Sequence, residues 1–173
     1  IRVVHQENRG LIMARRRGIA MATGELSMFL DADDMLMPNS LATIRTILAE
    51  TGADIVLFNY DNLYETTGVV ETDEALFEDG RVFAGEGKRR VYEEMIRTWR
   101  LNNLCMKAIK TALLQSDDTP YEDYAHLRFG EDLLQSLYPV THAARIAYCA
   151  RPLYIYRHAR TSMIGGAVRR DEE

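Results

Sequence analysis

At 173 residues, 47% hydrophobic and 27% charged, the chain is long enough for one domain with a substantial core. A net charge of −5 argues against a nucleic-acid binder, which would carry a basic face. Its two cysteines, Cys105 and Cys149, lie in apolar surroundings and read as buried thiols of a reducing, cytoplasmic compartment, and no run approaches the roughly 18 apolar residues of a membrane span.

The opening run Ile1-Arg2-Val3-Val4 predicts a strand over 1–6 and lacks an initiator Met, so the chain is expected to be the interior of a longer protein. Residues 10–22 predict a helix with Leu11, Ala14, Gly18 and Ala22 on one face. The apolar run 26–31 predicts a strand covered on both sides. Asn39 or Ser40 is placed to cap the next helix, whose core stripe is Leu41, Ile44, Ile47 and Leu48 and which Gly52 ends. Residues 54–60 predict another strand. Strand, helix, strand, helix, strand is the grammar of a parallel α/β sheet.

Residues 61–87, full of charges and glycine breaks, predict a hairpin or mobile loop. Residues 88–101 predict a helix with Val91, Met95 and Trp99 inward; Lys88-Arg89-Arg90 reads as a solvated end. A short strand over 105–109 leads into a short helix through Leu114, and residues 116–126 read as a polar loop. Leu133, Leu134 and Leu137 mark a helix opening at Glu131. Residues 146–156 predict one or two strands broken at Pro152, and the tail 169–173 is expected to be disordered.

The segment Ser27-Met28-Phe29-Leu30-Asp31-Ala32-Asp33-Asp34 stops an apolar run at three carboxylates. In an extended segment residues i and i+2 share a side, so Asp31 and Asp33 would aim at one point beyond a strand end, where α/β sheets bind ligands. Two hard oxygen ligands suit Mg²⁺ or Mn²⁺, which complete their shells with water and substrate phosphates. A solvated acidic turn is the plain alternative. A calcium loop fails on spacing, because Met35, Leu36 and Ala42 stand where oxygen ligands and a glycine are needed. A phosphatase or phosphotransferase with Asp31 as nucleophile is the rival enzyme reading, although that pattern normally continues into Gly-Thr rather than Asp34-Met35. A non-catalytic remnant used for binding is the third reading.

Upstream stand His5-Gln6-Glu7-Asn8-Arg9-Gly10-Leu11, Ala14-Arg15-Arg16-Arg17-Gly18-Ile19 and Ala22-Thr23-Gly24-Glu25; Phe29-Leu30-Asp31-Ala32-Asp33-Asp34 and Pro38 follow. In order and spacing this resembles the family-2 glycosyltransferases of the GT-A fold, whose pattern is roughly Q-x-N-x-G-x-x-x-A-R-N-x-G-I, A-x-G-E and F-L-D-A-D-D. Asn102 to Lys107, Gly130-Glu131-Asp132-Leu133, and Pro152 to Arg157 with Ser162 resemble later family segments. Arg16 departs from the pattern, standing where the family usually has Asn.

The resemblance implies an α/β, GT-A-like (Rossmann-like) domain over 1–168, with a mostly parallel sheet flanked by helices and the first strand–helix–strand unit missing. It implies a glycosyltransferase that moves a sugar from a nucleotide-sugar donor to a glycan or lipid-linked sugar acceptor, using Mn²⁺ or Mg²⁺. By the resemblance Asp33 is the direct metal ligand, Asp31 touches metal or donor, and Asp132, beside Glu131, is the general base. Helical neighbours diverge by about 100°, so Glu131 and Asp132 take different roles. Arg15, whose fork suits a diphosphate, and His158, on the strand face shared with Tyr154 and Tyr156, are the donor-binding candidates. Lys107 is a candidate for phosphate or acceptor contact. Tyr60, Tyr64 and Trp99 read as core before they read as sugar platforms. No Q-x-x-R-W pattern follows Asp132, which in this family implies one sugar added per encounter; inversion at the anomeric carbon follows from the resemblance and a single base. The setting it implies is envelope or exopolysaccharide synthesis on the cytoplasmic side, with the parent peripherally associated with the inner face of the membrane. Residues 1–173 alone are expected to be inactive and to self-associate through exposed strand edges and apolar surface.

Overall fold

Ile55, Val56, Leu57 and Phe58 are buried at every position, as a strand with both faces covered must be. They open β3 (Ile55–Tyr64) at the centre of the sheet in a computed structural model that describes residues 1–158. In chain order the other elements are α1 (Gly10–Met21), β1 (Leu26–Met28), β2 (Met35–Leu36), α2 (Ser40–Thr51), β4 (Val69–Thr72), β5 (Val82–Ala84), α3 (Arg89–Arg97), β6 (Lys107–Lys110), α4 (Thr111–Gln115), α5 (Glu131–His142) and β7 (Arg145–His158). The sheet runs β1-β6-β3-β7-β2, with β4 added to β3 and β5 to β7.

Alternate residues of β3 divide the core. Ile55 and Leu57 join Ile146 and Tyr148 on the face that receives Val91 and Met95 of α3 and Val140 of α5. Val56 and Phe58 join Ala147 and Cys149 on the face that receives Ile44 of α2. Helices thus flank both faces, and both cysteines are buried free thiols. The predicted break at Pro152 is a register irregularity within one strand, at the Asn59–Pro152 pairing.

The expected α/β class holds, but the sheet is mixed rather than mostly parallel. Only β3 and β7 pair in parallel among the described strands. The reason is β6, which lies antiparallel between β1 and β3 and so separates the two strands that a simple strand–helix–strand unit would make neighbours. Other readings also change. Residues 1–9 form no strand and are exposed. β1 is a half-buried edge strand, not one covered on both sides. Helix α1 buries Ile12, Arg15 and Ile19, while Leu11, Ala14 and Gly18 face outward; a buried arginine does not register in an apolar stripe. Within α2, Leu41 is exposed and no side chain caps the N-terminus, although Gly52 ends the helix with φ +62° as read. No helix among the described residues is long and apolar enough to cross a membrane. The boundary at 168, the tail 169–173 and Ser162 lie outside the described residues.

One carboxylate ties three strand ends together. Asp54, just before β3, accepts a hydrogen bond from Lys110 Nζ at the end of β6 (2.8 Å) and from the Ala144 and Arg145 N–H groups at the start of β7 (2.7 and 3.1 Å). Burial alone would raise its pKa, but these donors outweigh burial and hold the carboxyl below its usual range. A depressed pKa in the fold adds stability above the unfolded value, and that stability is lost as pH falls through the folded value. Asp54→Ala is expected to cost about 2 kcal/mol at pH 7, from lost charge-assisted bonds. The deficit shrinks as pH falls below about 4. Urea unfolding of both proteins at pH 7 and pH 3 checks it; a deficit that is the same at both would contradict this role for Asp54.

Candidate active site

The chain leaves β1 through Phe29 and Leu30 and turns at once, Asp34 N–H donating to the Asp31 carbonyl at 3.1 Å. The acidic segment is therefore a turn, and the alternation that would aim Asp31 and Asp33 together does not apply to it. A buried tyrosine hangs this turn on the sheet. The Tyr154 hydroxyl donates to Asp34 Oδ2 (2.7 Å) and accepts the Asp31 N–H (3.2 Å). Asp34 Oδ1 accepts the Arg157 N–H at 2.9 Å. Asp34 is thus engaged in holding the turn on β7. Asp33 is exposed and makes no hydrogen bond or ion pair among the described residues.

Arg15 approaches from α1 with only 7% of its side chain exposed. Its two terminal nitrogens divide: Nη1 bonds Asp132 Oδ1, and Nη2 lies 3.6 Å from Asp31 Oδ1. The guanidinium stands 5.9 Å from the Phe29 ring centre. Two glycines make the approach work. Gly10, at φ +85°, starts α1 so close to the Ala125 carbonyl that a Cβ would sit 2.7 Å from that oxygen. Gly130, at φ +79°, precedes α5 and sets Asp132 in its first turn. The second Asp132 oxygen accepts the Leu104 N–H at 3.2 Å. Glu131, one residue earlier, is half-buried and has no such partner among the described residues.

The electrostatics leave a surplus of negative charge. Burial would lower the Arg15 pKa, but Asp132 and then Asp31 outweigh it and hold it above its ordinary value. Burial pushes the Asp31 carboxyl up; Arg15 opposes this, and Asp132, Asp34 and Asp33 add to the rise. Arg15 contacts two of these carboxylates directly, Lys107 acts on Asp132 and Arg157 on Asp33 and Asp34, so three cations face four carboxylates. That surplus, with Asp33 unengaged and Asp31 only loosely paired, fits a divalent cation bound by two carboxylates and completed by water and phosphate. The described residues alone offer no group of three or more His, Cys, Asp or Glu side chains that could hold a metal.

The other candidates fall elsewhere. His158 bonds the Asn62 side-chain oxygen (2.9 Å), stacks on Tyr64 with ring centres 4.5 Å apart, and meets Tyr156 edge-on at 4.9 Å. None of its contacts is to Arg15, Asp31 or Asp132. Lys107, 1% exposed, donates to the Leu101 and Asn103 carbonyls at 2.6 Å each, so it braces a loop and does not reach toward a phosphate. Burial pulls its pKa down to about 8. Arg16 donates to the Leu114 and Asp117 carbonyls (3.1 and 2.9 Å) and stands 4.8 Å over the Tyr121 ring, which explains what an arginine does in that position. Trp99, expected inward, is 67% exposed because α3 ends at Arg97. Sequence reasoning missed Tyr154 as the support of the acidic turn and the Leu104 N–H as a partner of Asp132; neither carries a signal in a single sequence.

Two shallow clefts, of about 280 and 370 Å³, lie near the α1–α4 contact and include none of Asp31, Asp33 and Asp132. Asp31 and Asp132 keep 38% and 24% of their side chains exposed.

Residues 1–117 match the family model described as Glycosyl transferase family 2. The chain is 28% identical over 169 residues to EpsH of Bacillus subtilis (strain 168), covering 94% of this chain and 46% of that protein. It is 26% identical over 175 residues to the glycosyltransferase GlyA of Streptococcus pneumoniae serotype 4, covering 92% of this chain and 23% of that one. The chain thus spans less than half the length of these relatives. S. aureus TarS residues 1–349 share the fold, with a TM-score of 0.66 at 22% identity over 86% of this chain and 40% of that one. The same protein solved with UDP-GlcNAc gives 0.66 at 18% identity over 92% and 42%. The α/β fold with its mixed, helix-flanked sheet is accordingly GT-A-like, and this chain belongs to glycosyl transferase family 2.

Proposed function

We propose that the site transfers one sugar per encounter from a nucleotide-sugar donor to a hydroxyl of a glycan or lipid-linked acceptor, with inversion and with help from Mn²⁺ or Mg²⁺. The observation that supports this best is the convergence of Arg15, Asp31 and Asp132 from three separate elements onto one surface. Asp132 takes the proton from the acceptor hydroxyl. The freed oxygen attacks the anomeric carbon on the face opposite the diphosphate, and the bond from that carbon to the diphosphate oxygen breaks, its electron pair leaving with the nucleotide. Arg15 supplies a guanidinium fork for the departing diphosphate. A cation bound at Asp33 and Asp31 would supply charge neutralisation on that leaving group.

Before ligand arrives, Arg15 Nη1 occupies Asp132 Oδ1. The diphosphate competes for that guanidinium. Drawing it away from Asp132 frees that oxygen for an acceptor hydroxyl only when a donor is present, which limits idle chemistry. Leu104 N–H keeps the carboxylate oriented through the exchange. Glu131, beside it and without a side-chain partner among the described residues, serves orientation or cation approach. The setting we favour is polysaccharide assembly on the cytoplasmic side, with peripheral contact to the inner membrane face and self-association through the outer edge of β1, which has no partner among the described strands. TarS, the UDP-GlcNAc-bound neighbour in fold, makes that nucleotide-sugar the first donor to test.

Three substitutions, made in the complete parent enzyme, separate these roles. Asp33→Ala is expected to remove Mn²⁺-dependent donor binding while changing stability by no more than about 0.5 kcal/mol, as befits an exposed carboxylate. Titrating Mn²⁺ in the presence of UDP-GlcNAc checks it, and equal cation affinities in the two proteins would contradict the ligand assignment. Asp132→Asn is expected to keep donor affinity and lower turnover by roughly two to four orders of magnitude. Glu131→Gln is expected to do less. Steady-state rates decide: a reversed ranking would make Glu131 the base, and two active variants would mean that the acidic pair only stabilises the helix N-terminus.

A further inference from the structure

Trp99 is the single tryptophan of the chain, and its ring stands where packing would not put it. Just past α3 its backbone adopts φ +62°, in the left-handed region that bulky side chains avoid, and the residue is 67% exposed. A large apolar ring gains nothing by facing water. A strained backbone that its surroundings hold in place points to a functional position.

The surroundings do hold it. The Trp99 carbonyl accepts the Asn102 N–H at 2.9 Å. Arg100 donates to the Glu74 carbonyl, and its Nε lies 3.1 Å from Asp73 Oδ2 as an ion pair without hydrogen-bond alignment. Lys107 grips the carbonyls of Leu101 and Asn103. The same segment meets α5 twice, through the Leu104 N–H on Asp132 and through the Asn102 carbonyl, which accepts the Ser136 hydroxyl at 3.1 Å. The turn keeps the Cα atoms of residues 99 and 102 within about 7 Å, and two further residues add at most about 7 Å. The Trp99 backbone is therefore within about 14 Å of the residue that bonds Asp132. A second feature of this segment has no structural return. Asn102 is only 6% exposed, yet both ends of its side-chain amide lack a partner among the described residues, although buried amides are almost always paired.

We infer that Trp99 is the acceptor platform of this transferase, its indole face stacking a pyranose ring of the acceptor saccharide beside Asp132. The C–H face of a pyranose is apolar and carries slight positive charge, which complements the negative face of an aromatic ring. The inference rests on the reading that Asp132 deprotonates an acceptor hydroxyl, and it adds the residue that selects what carries that hydroxyl. Trp99 is then a specificity residue for the acceptor and has no part in donor binding.

Because no other tryptophan is present, emission excited beyond the absorption band of the tyrosines reports on this position alone. The test titrates the whole chain with soluble tetrasaccharides of glucose, galactose, mannose, rhamnose and N-acetylglucosamine, followed by emission in wild type and by calorimetry in wild type and variants alike, alongside UDP-GlcNAc measured by calorimetry. At least one tetrasaccharide is expected to shift the emission saturably. Trp99→Ala is expected to weaken that saccharide at least tenfold, Trp99→Phe less than threefold, and neither to change UDP-GlcNAc affinity more than twofold. Trp99→Gly, which relieves the positive φ, is expected to melt no lower than wild type while losing the saccharide. The inference is overturned if no tetrasaccharide perturbs the emission, or if Trp99→Ala binds as tightly as wild type. A saccharide that stacks on Trp99 in a protein that binds no nucleotide-sugar would uphold the platform and contradict the transfer reading instead.

Discussion

A single guanidinium is the constraint on which this surface depends. Arg15 is nearly buried, and it answers to carboxylates that are distant in sequence: Asp31 after β1 and Asp132 in the first turn of α5. A buried cation needs such partners, because removing one from a buried pair typically costs about 3–5 kcal/mol. Solvent screening reduces that figure here, since Asp31 and Asp132 remain partly exposed. The requirement runs in both directions. Arg15 must be met where it lies, so α1, the acidic turn and α5 cannot shift independently. The turn is in turn fixed to β7 by Tyr154 and Asp34, which makes the central sheet the reference frame for every group in the cluster.

Adjacent arginines on α1 divide the labour. Arg15 points to the carboxylates, whereas Arg16 braces the loop around Asp117 and Tyr121. Lys107 does the same for the loop that carries Trp99 and Leu104. Of these three cations, one has a candidate ligand contact and two have structural duties. What separates them is the carbonyl-rich surroundings of Arg16 and Lys107, which only the fold reveals.

Much of the element order was legible in the chain, because apolar periodicity and glycine breaks report local structure directly. The central strand at Ile55–Phe58, α2 ending at Gly52 and α5 opening at Glu131 are of this kind. Topology was less legible. Nothing local to Lys107–Lys110 says that it inserts antiparallel between β1 and β3, so a strand–helix–strand grammar read as a parallel sheet. The face of α1 was misread because its buried centre is an arginine. Asp31, Arg15 and Asp132 could be nominated from motif spacing, but their meeting point could not, nor could the positive φ that turns Trp99 outward. These depend on long-range packing, to which a single sequence is blind.

The most direct measurement of the central claim is a double-mutant cycle between Arg15→Leu and Asp132→Leu, read by urea unfolding of the ligand-free protein. If Arg15 is the clasp between α1 and α5, the two substitutions are strongly non-additive, with a coupling energy of about 1–3 kcal/mol. Additivity within about 0.3–0.5 kcal/mol would mean that the two side chains do not hold each other, and would contradict the account.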